Sequence, residues 1–420
     1  MTTDLTKPEA MLAAVTQRPA VQSALGASQT VNWEITELSD GNMNSVFRVT
    51  GPEGSIIAKH APPYIRVIGE DWPFPQSRLG FEQAALQEHQ QICPDYVPQI
   101  LDFDADQSIL ILQDLKHHKV ARQALIDADP LPHFGRHIGE YLALSLFKTS
   151  DLALDTTQKK ALLGRFTGNA ELCATTESVI FNGPYWAAPL NRWSDQLNTL
   201  VEAWHQDRDL HFAAAKLNHA FRTKTQALIH GDLHTGSVMV TPKDTRVMDH
   251  EWAFYGPIGF DIGAIIGNLF IAYFAQPGHG AENRQGKAID RQAYAEDILT
   301  IIRDLWLTFS AEFRRLAHEA RDTSDRALLT PKQFDHHLID RFIDQYLADL
   351  LRDTAGFAGA KMTRRVIGIS HVADLELIED PALRAKHERQ VLVSARGLIL
   401  NNSWLQRIDD LIDLAISTTV

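Results

Sequence analysis

The sequence predicts an α+β fold in two parts, a small β-rich N-terminal lobe and a large, mainly helical C-terminal lobe. Strand-like runs separated by turn residues fill roughly the first hundred positions, and long segments of helical periodicity dominate the remainder. A chain of 420 residues also exceeds the size at which a single hydrophobic core usually stops growing. We predict lobes at 1–114 and 115–420.

The N-terminal lobe is predicted to contain five strands and one helix. Asp40-Gly41-Asn42 reads as the turn between the first two strands, and 51–54 as the turn before the third. A loop rich in proline and aromatic residues then precedes the helix. The predicted strands lie at 32–38, 45–50, 56–60, 99–103 and 108–113, and the predicted helix lies at 79–91.

The C-terminal lobe shows five long helical patterns, near 132–149, 191–220, 289–320, 332–353 and 383–417. The apolar segment 262–275 is too short to span a bilayer and contains Asn268, which predicts a buried helix.

Composition limits the classes of partner. A formal net charge of -13 disfavours a nucleic acid or an anionic membrane, because those surfaces call for a basic face. Two cysteines without a CxxC pair indicate a reduced, cytoplasmic protein, and the N-terminal residues lack the pattern of a signal peptide.

The segment 228–251, LIHGDLHTGSVMVTPKDTRVMDHE, has the residues that a phosphoryl-transfer site needs. Such a site requires a carboxylate to accept the proton of the attacking hydroxyl and further oxygens to hold magnesium on the phosphates. Asp232, in a polar turn, is the candidate for the first role. Asp249 and Glu251 follow a predicted strand hairpin, and in an extended chain positions i and i+2 point the same way. They are therefore the candidate metal ligands.

Other interpretations of this segment remain open. His230 and His234 have the spacing of zinc ligands on a helix, although Gly231 and Asp232 argue against a helix. Asp232 as a simple turn former and Asp249 as a helix cap or surface residue are also possible, since aspartate is common in both places.

Lys59 lies in an apolar strand, where its charge is costly unless it meets a partner. A lysine there can reach nucleotide phosphates, and Glu82 in the following helix is a candidate partner. The alternative is a lysine on the solvent face of an edge strand.

Taken together, these parts resemble the kinase-like phosphotransferases of small molecules, and most closely the S-methyl-5-thioribose kinase family. The resemblance extends from residue 40 to residue 378. It rests on DGNMNSVFRV (40–49), AKHAPPYIRVIGEDWPF (58–74), LIHGDLHTGS (228–237), EWAFYGPIGFDIG (251–263) and RRVIGISHVADLELI (364–378).

The resemblance implies a protein-kinase-like fold, ATP and Mg²⁺ as cofactors, and a homodimer. It implies Asp232 as the catalytic residue facing the sugar, Asp249 and Glu251 as metal ligands, and Arg364 and Arg365 as residues that bind the thioribose and the transferring phosphoryl group. The implied nucleotide-binding residues are Asn44, Lys59, the adenine hinge Gln113, Asp114 and Leu115, and the stretch Asp249, His250 and Glu251.

The chain departs from the family pattern in three places. His250 stands where proline is expected in Asp-Pro-Glu, Gln113 stands where glutamate is expected in the hinge, and the region 277–331 is longer. Trp72, in a proline-rich loop, either closes over a ligand or packs as an anchor.

The predicted function is ATP-dependent phosphorylation of S-methyl-5-thio-D-ribose at its C1 hydroxyl, a step of methionine salvage. The alternatives are another small-molecule kinase of this fold, acting on an aminoglycoside, choline or a different sugar, and a nucleotide-binding scaffold that has lost catalysis.

Overall fold

The computed structural model describes residues 4–26, 32–38, 43–66, 69–323 and 328–417. The chain packs into two compact units. The first comprises Met1–His118 with Arg246–Ala253, and the second comprises Lys119–Thr245 with Phe254–Val420. The lobe boundary after residue 114 stays a prediction. A single boundary cannot place Arg246–Ala253, because this later segment also belongs to the first unit.

An antiparallel five-stranded sheet is the main feature of the first unit. The strands of this unit are β1 (Glu34–Glu37), β2 (Ser45–Thr50), β3 (Ser55–His60), β4 (Tyr64–Ile65), β5 (Gly69–Pro73), β6 (Ile100–Asp104) and β7 (Ile109–Gln113), and its α-helices are α1 (Pro8–Thr16), α2 (Pro19–Leu25) and α3 (Arg78–Ile92). The large sheet has the order β1-β2-β3-β7-β6, and β4 pairs with β5. The five predicted strands and the predicted helix are confirmed to within two residues at each end. The predicted turn at 40–42 lies outside the described residues.

Strand alternation gives this sheet one apolar face. In β2, Phe47 and Val49 are buried and the residues between them are partly exposed, as a period of two requires. The apolar face packs against α1 and α2, two helices that we did not predict. Gly51 is required after β2, because a Cβ there would lie 2.4 Å from the carbonyl oxygen of Leu25.

The second unit is mainly helical. Its α-helices are α4 (Ala121–Ile126), α5 (Phe134–Lys148), α6 (Thr156–Phe166), α7 (Ala170–Thr176), α8 (Asn198–Gln206), α9 (Arg208–Thr223), α10 (Ile258–Ala275), α11 (Arg291–Thr323), α12 (His336–Val366), α13 (Ala373–Glu376), α14 (Pro381–Leu400) and α15 (Ile408–Ser417). Short strands β8 (Lys119–Val120), β9 (Ala227–Ile229), β10 (Val238–Val240) and β12 (Phe254–Gly256) lie among them, and β11 (Thr245–Val247) crosses the boundary of the units.

Two predicted helices are wrong as continuous elements. The pattern at 191–220 is interrupted at Asp207, whose extended backbone ends α8 and whose side chain accepts from the N–H of Leu210 to cap α9. The pattern at 383–417 is interrupted between Leu400 and Ile408. The helical spacing of apolar residues continues through both breaks. This spacing reflects which residues are buried and does not show where a helix is capped.

Helix α10 is the centre of the second unit. All of its residues except Tyr273 are buried, which confirms the predicted buried helix. The span Ile258–Gly278 is long and apolar enough to cross a membrane, yet 94% of its most apolar window is buried inside the protein, as in a core helix. Gly259, Gly263 and Gly267 face α12 so closely that added Cβ atoms would come within 3 Å of it. These glycines bring α12 against α10.

Candidate active site

The first unit contains a buried lysine among carboxylates. Lys59, in β3, lies 2.9 Å from Oε1 of Glu82 in α3, and its Nζ also contacts Oδ1 of Asp249. The predicted Lys59–Glu82 pair is therefore confirmed, and the interpretation of Lys59 as a solvent-facing residue is wrong. Burial alone lowers the pKa of Lys59, but the charges of Asp249, Glu82 and Glu251 outweigh it and raise this pKa above its ordinary value.

Three carboxylates form the one candidate metal-binding group within the described ranges. Glu82, Asp249 and Glu251 each offer an oxygen within 4.8 Å of the others. The reason given for the proximity of Asp249 and Glu251 is wrong, because the chain is not extended there. Asp249 has φ 72° and ψ 48°, and a 3-10 turn follows at His250–Trp252. This turn, and not strand alternation, brings Glu251 back to Asp249.

The set of donors suits a hard divalent cation. Glu251 is buried, accepts a 2.7 Å hydrogen bond from Nδ2 of Asn44, and lies 3.6 Å from Nε of Arg78. Burial raises the pKa of Glu82, which the charge of Lys59 offsets only in part, and burial raises the pKa of Glu251 as well. Three carboxylates facing one lysine and one arginine leave a surplus of negative charge, which Mg²⁺ with its preference for oxygen ligands would neutralise.

Two predicted nucleotide contacts have side chains directed into the protein. Both ends of the Asn44 amide are engaged, since its Oδ1 accepts from Nε of Arg78 at 3.0 Å while its Nδ2 donates to Glu251. His250 is buried, with its Nε2 3.1 Å from Nδ1 of His89 in α3. A contact of either residue with ATP stays a prediction, and it would use the backbone.

The predicted adenine hinge lies at the end of β7. The carboxylate of Asp114 accepts from Arg48 and Ser55, which fixes this chain segment to β2 and β3. Gln113 is exposed and Leu115 is buried. The Asp114 side chain is already hydrogen-bonded to residues of the sheet. Recognition of adenine by this segment stays a prediction, and it would use the backbone N–H and C=O groups.

A tight turn after β9 positions the predicted catalytic aspartate in the second unit. Gly231 has φ +83°, and the carboxylate of Asp261 in α10 accepts from the N–H groups of His230 and Gly231 at 2.6 and 3.0 Å. This clamp joins the turn that carries Asp232 to the core helix.

Two cations and a histidine surround Asp232. Its Oδ1 accepts from Nζ of Lys361 at 2.7 Å and lies 3.8 Å from Nη1 of Arg364, while its Oδ2 lies 3.5 Å from Nε2 of His234. Burial alone would raise the pKa of Asp232, but Lys361, His234 and Arg364 outweigh it and hold this pKa well below its ordinary value. The carboxylate is therefore ionised at neutral pH, as a proton acceptor must be.

The two histidines of this turn have structural contacts. Nδ1 of His230 accepts from the N–H of Asp232, and Nδ1 of His234 accepts from the N–H of Gly236. Burial lowers the pKa of His234 to about 4, so its ring is neutral. Neither belongs to a candidate metal group in the described part of the chain, so the zinc interpretation has no support.

The paired arginines lie at the end of α12 and point in different directions. Arg364 reaches toward Asp232, whereas Arg365 is buried and donates to the carbonyl oxygen of Ser370 at 2.8 Å. Burial and the charge of Arg364 lower the pKa of Arg365 to about 9. Adjacent helical residues differ in direction by about a hundred degrees, which explains this division.

Sequence reasoning missed Lys361 and Asp261. Lys361 interrupts the small and apolar run 355–362, which is the same signal that identified Lys59. Asp261 stands in the equally apolar start of α10, within the quoted motif at 251–263. A charge inside an apolar helical face indicates a buried partner in both cases.

Comparison with known proteins identifies the family of this chain. A model of the phosphotransferase enzyme family matches residues 34–296. Methylthioribose kinase 1 of Oryza sativa subsp. japonica is 39% identical, covering 96% of this chain and 93% of its own. Methylthioribose kinase of Escherichia coli O45:K1 is 40% identical, covering 91% of this chain and 90% of its own. The chain belongs to the methylthioribose kinase family.

Membership of the methylthioribose kinase family confirms the predicted resemblance, the kinase-like fold class and the assignment as a phosphotransferase enzyme. A solved Plasmodium vivax ethanolamine kinase aligns with a TM-score of 0.44 at 12% identity, covering 92% of this chain and 87% of its own.

Proposed function

We propose that this protein transfers the γ-phosphoryl group of ATP to the C1 hydroxyl of S-methyl-5-thioribose, giving the 1-phosphate and ADP. The observation that carries the proposal is the ionised Asp232 among Lys361 and Arg364 in a chain of the methylthioribose kinase family. The reaction is a step of methionine salvage.

Asp232 orients the C1 hydroxyl and accepts its proton as the hydroxyl oxygen bonds to phosphorus and the bond to ADP breaks. Arg364 balances the charge of the transferring group, and Arg365 supports the end of α12 through Ser370. The role of Arg364 is supported by the 3.8 Å between its Nη1 and Oδ1 of Asp232.

The residues of the first unit hold the nucleotide. Lys59 pairs with phosphate oxygens, Asp249 and Glu251 hold Mg²⁺, and Glu82 keeps Lys59 in place. Bound magnesium would neutralise charge on the β- and γ-phosphates. The backbone of 113–115 contacts adenine, and Asn44 fixes Glu251 for its task.

The charge around Asp232 distinguishes this acceptor from the alternatives. Aminoglycosides and choline are cations, and Lys361, Arg364 and the nearby Arg365 would repel them. A neutral thio-sugar meets no such penalty.

We also propose a homodimer in the cytoplasm.

Two measurements test the function. ADP release with a panel of acceptors is expected to be fastest with S-methyl-5-thioribose; faster turnover of choline or an aminoglycoside would replace the proposed substrate. Asp232→Ala is expected to abolish turnover and leave ATP binding intact. If the wild-type protein binds ATP tightly and turns over no acceptor, the scaffold interpretation is correct.

A further inference from the structure

Lys361 is a buried lysine that no motif assigned to the reaction. It is 1% exposed and lies on the face of α12 that packs against α10. Its Nζ lies 2.7 Å from Oδ1 of Asp232 and 4.6 Å from the centre of the Phe260 ring. Burial lowers the pKa of Lys361 to about 8 even though Asp232 opposes the change.

A buried ion pair of this kind contributes little to the net stability of a protein. The desolvation of both charges commonly cancels their attraction, and an apolar side chain of similar volume is often as stable. A methionine would fill the same space beside Phe260 without desolvating a charge. The position of the ammonium is therefore better explained by what it does to Asp232.

The two oxygens of Asp232 are held unequally. Oδ1 receives the hydrogen bond from Lys361 and has Arg364 3.8 Å away. Oδ2 is 3.5 Å from Nε2 of His234, which makes this a longer and weaker hydrogen bond than the one from Lys361. Because Nδ1 of His234 accepts from Gly236, this neutral ring directs its N–H toward Oδ2 without binding it closely.

We propose that Lys361 is a positioning residue for Asp232, which holds Oδ1 so that Oδ2 receives the proton of the attacking hydroxyl. The inference rests on the proposed function and assigns the proton to one oxygen. The hydroxyl oxygen bonds to the γ-phosphorus, the bond from phosphorus to ADP breaks, and the hydroxyl proton passes to Oδ2. Lys361 keeps its own protons throughout.

The charged groups facing this pair come from three elements. The turn after β9 contributes Asp232 itself and the neutral His234, and α10 contributes Asp261. Helix α12 contributes Arg364 and Arg365 beside Lys361. Removal of Lys361 leaves Arg364 as the nearest cation, 3.8 Å from the carboxylate instead of 2.7 Å.

The test compares Lys361→Met with a matched control, Lys159→Met. Lys159 is also a buried lysine of the second unit, with Nζ 2.9 Å from Asp151 and 4.9 Å from the centre of the Tyr255 ring, and it has no contact with Asp232. A purely structural role for Lys361 predicts that both variants lose stability and that kcat and the pH profile of the enzyme stay at their wild-type values.

The first readout is ¹³C NMR titration of the Asp232 carboxylate in the full chain, assigned by comparison with Asp232→Asn. In Lys361→Met the midpoint is expected to rise by about one to three pH units, and in Lys159→Met it is expected to stay at the wild-type value. Equal midpoints in wild type and Lys361→Met overturn the proposal. If Lys361→Met does not fold, Lys361→Gln, which removes the charge and keeps a polar group, carries the same expectation.

The second readout is steady-state kinetics with S-methyl-5-thioribose. We expect kcat of Lys361→Met to fall at least about tenfold, with the KM for ATP within about twofold, and the acidic limb of kcat/KM to move to higher pH. An active wild type with an unchanged kcat and pH profile in Lys361→Met refutes the role of Lys361. An inactive wild type refutes the proposed function instead, and the titration of Asp232 then shows separately whether Lys361 controls the ionisation of that carboxylate.

Discussion

The contact between α10 and α12 makes Gly263→Ala a sensitive perturbation of both stability and catalysis. A Cβ at residue 263 would lie 2.6 Å from the carbonyl oxygen of Thr354, 2.8 Å from the N of Ala358 and 2.9 Å from Cβ of Phe357. Two of these are backbone atoms and cannot rotate away. Ordinary contact starts at 3.4 Å, so α12 must move outward by about 0.8 Å.

That movement acts directly on the Asp232 turn. Asp261 of α10 holds the turn through two backbone N–H groups, whereas Lys361 is carried by α12. If α12 moves by about 0.8 Å, the 2.7 Å contact between Lys361 and Asp232 approaches 3.5 Å and its hydrogen bond is lost. Overpacking costs about 1–3 kcal/mol of folding free energy, and a lost charged hydrogen bond corresponds to about a tenfold or greater fall in kcat.

Urea unfolding and steady-state kinetics measure the two effects, with Gly164→Ala as control. Gly164 lies in α6 with no atom within 4 Å of an added Cβ, so alanine there is expected to stabilise the helix by up to about 1 kcal/mol and leave kcat unchanged. A Gly263→Ala protein as stable and as active as Gly164→Ala would show that neither stability nor catalysis depends on the close contact between α10 and α12.

Three further predictions concern metal binding, the pH dependence of stability and the reactivity of a buried thiol. Asp249→Asn and Glu251→Gln are each expected to weaken Mn²⁺ binding, followed by electron paramagnetic resonance, by at least about tenfold; unchanged binding would exclude them as ligands. The pKa of Asp232 is lower in the folded than in the unfolded protein. The ionised carboxylate therefore stabilises the fold at a pH above the ordinary pKa of aspartate, and this stabilisation is lost as the pH falls through the pKa of the folded state. The difference in unfolding free energy between wild type and Asp232→Asn should therefore shrink below about pH 4, and a difference that grows toward acid pH would contradict this. Burial raises the pKa of the Cys93 thiol to about 12, so this thiol should react with a disulfide reagent at pH 8 much more slowly in the folded than in the unfolded protein; equal rates would contradict its buried placement.

Local patterns were sufficient for the sheet and for the lysine and carboxylate group of the first unit. Alternation in β2 and the turn residues around it determined the strands, and Lys59 was recognisable as a charge in an apolar strand. The pairing of Lys59 with Glu82 spans only 23 residues, within one strand and the next helix.

Tertiary contacts account for what the sequence did not reveal. Lys361 lies 129 residues from Asp232 in the chain, so only the packing of α12 on α10 brings them together. The short helices α1 and α2 were missed because each is under three turns long and gains its stability from the sheet. Asp249 and Glu251 lie close together for a reason other than the predicted one, because a left-handed residue is not visible in a pattern of polar and apolar side chains.

In the proposed reaction, Asp232 orients the C1 hydroxyl of S-methyl-5-thioribose for attack on the γ-phosphoryl group of ATP. The most direct measurement is ³¹P NMR of the wild-type and Asp232→Asn proteins incubated with ATP, Mg²⁺ and the sugar. We expect ADP and a sugar phosphate whose phosphorus couples to the anomeric proton in the wild type, and neither product with Asp232→Asn. A phosphate on another hydroxyl, release of inorganic phosphate alone, or the same product from Asp232→Asn would contradict this expectation.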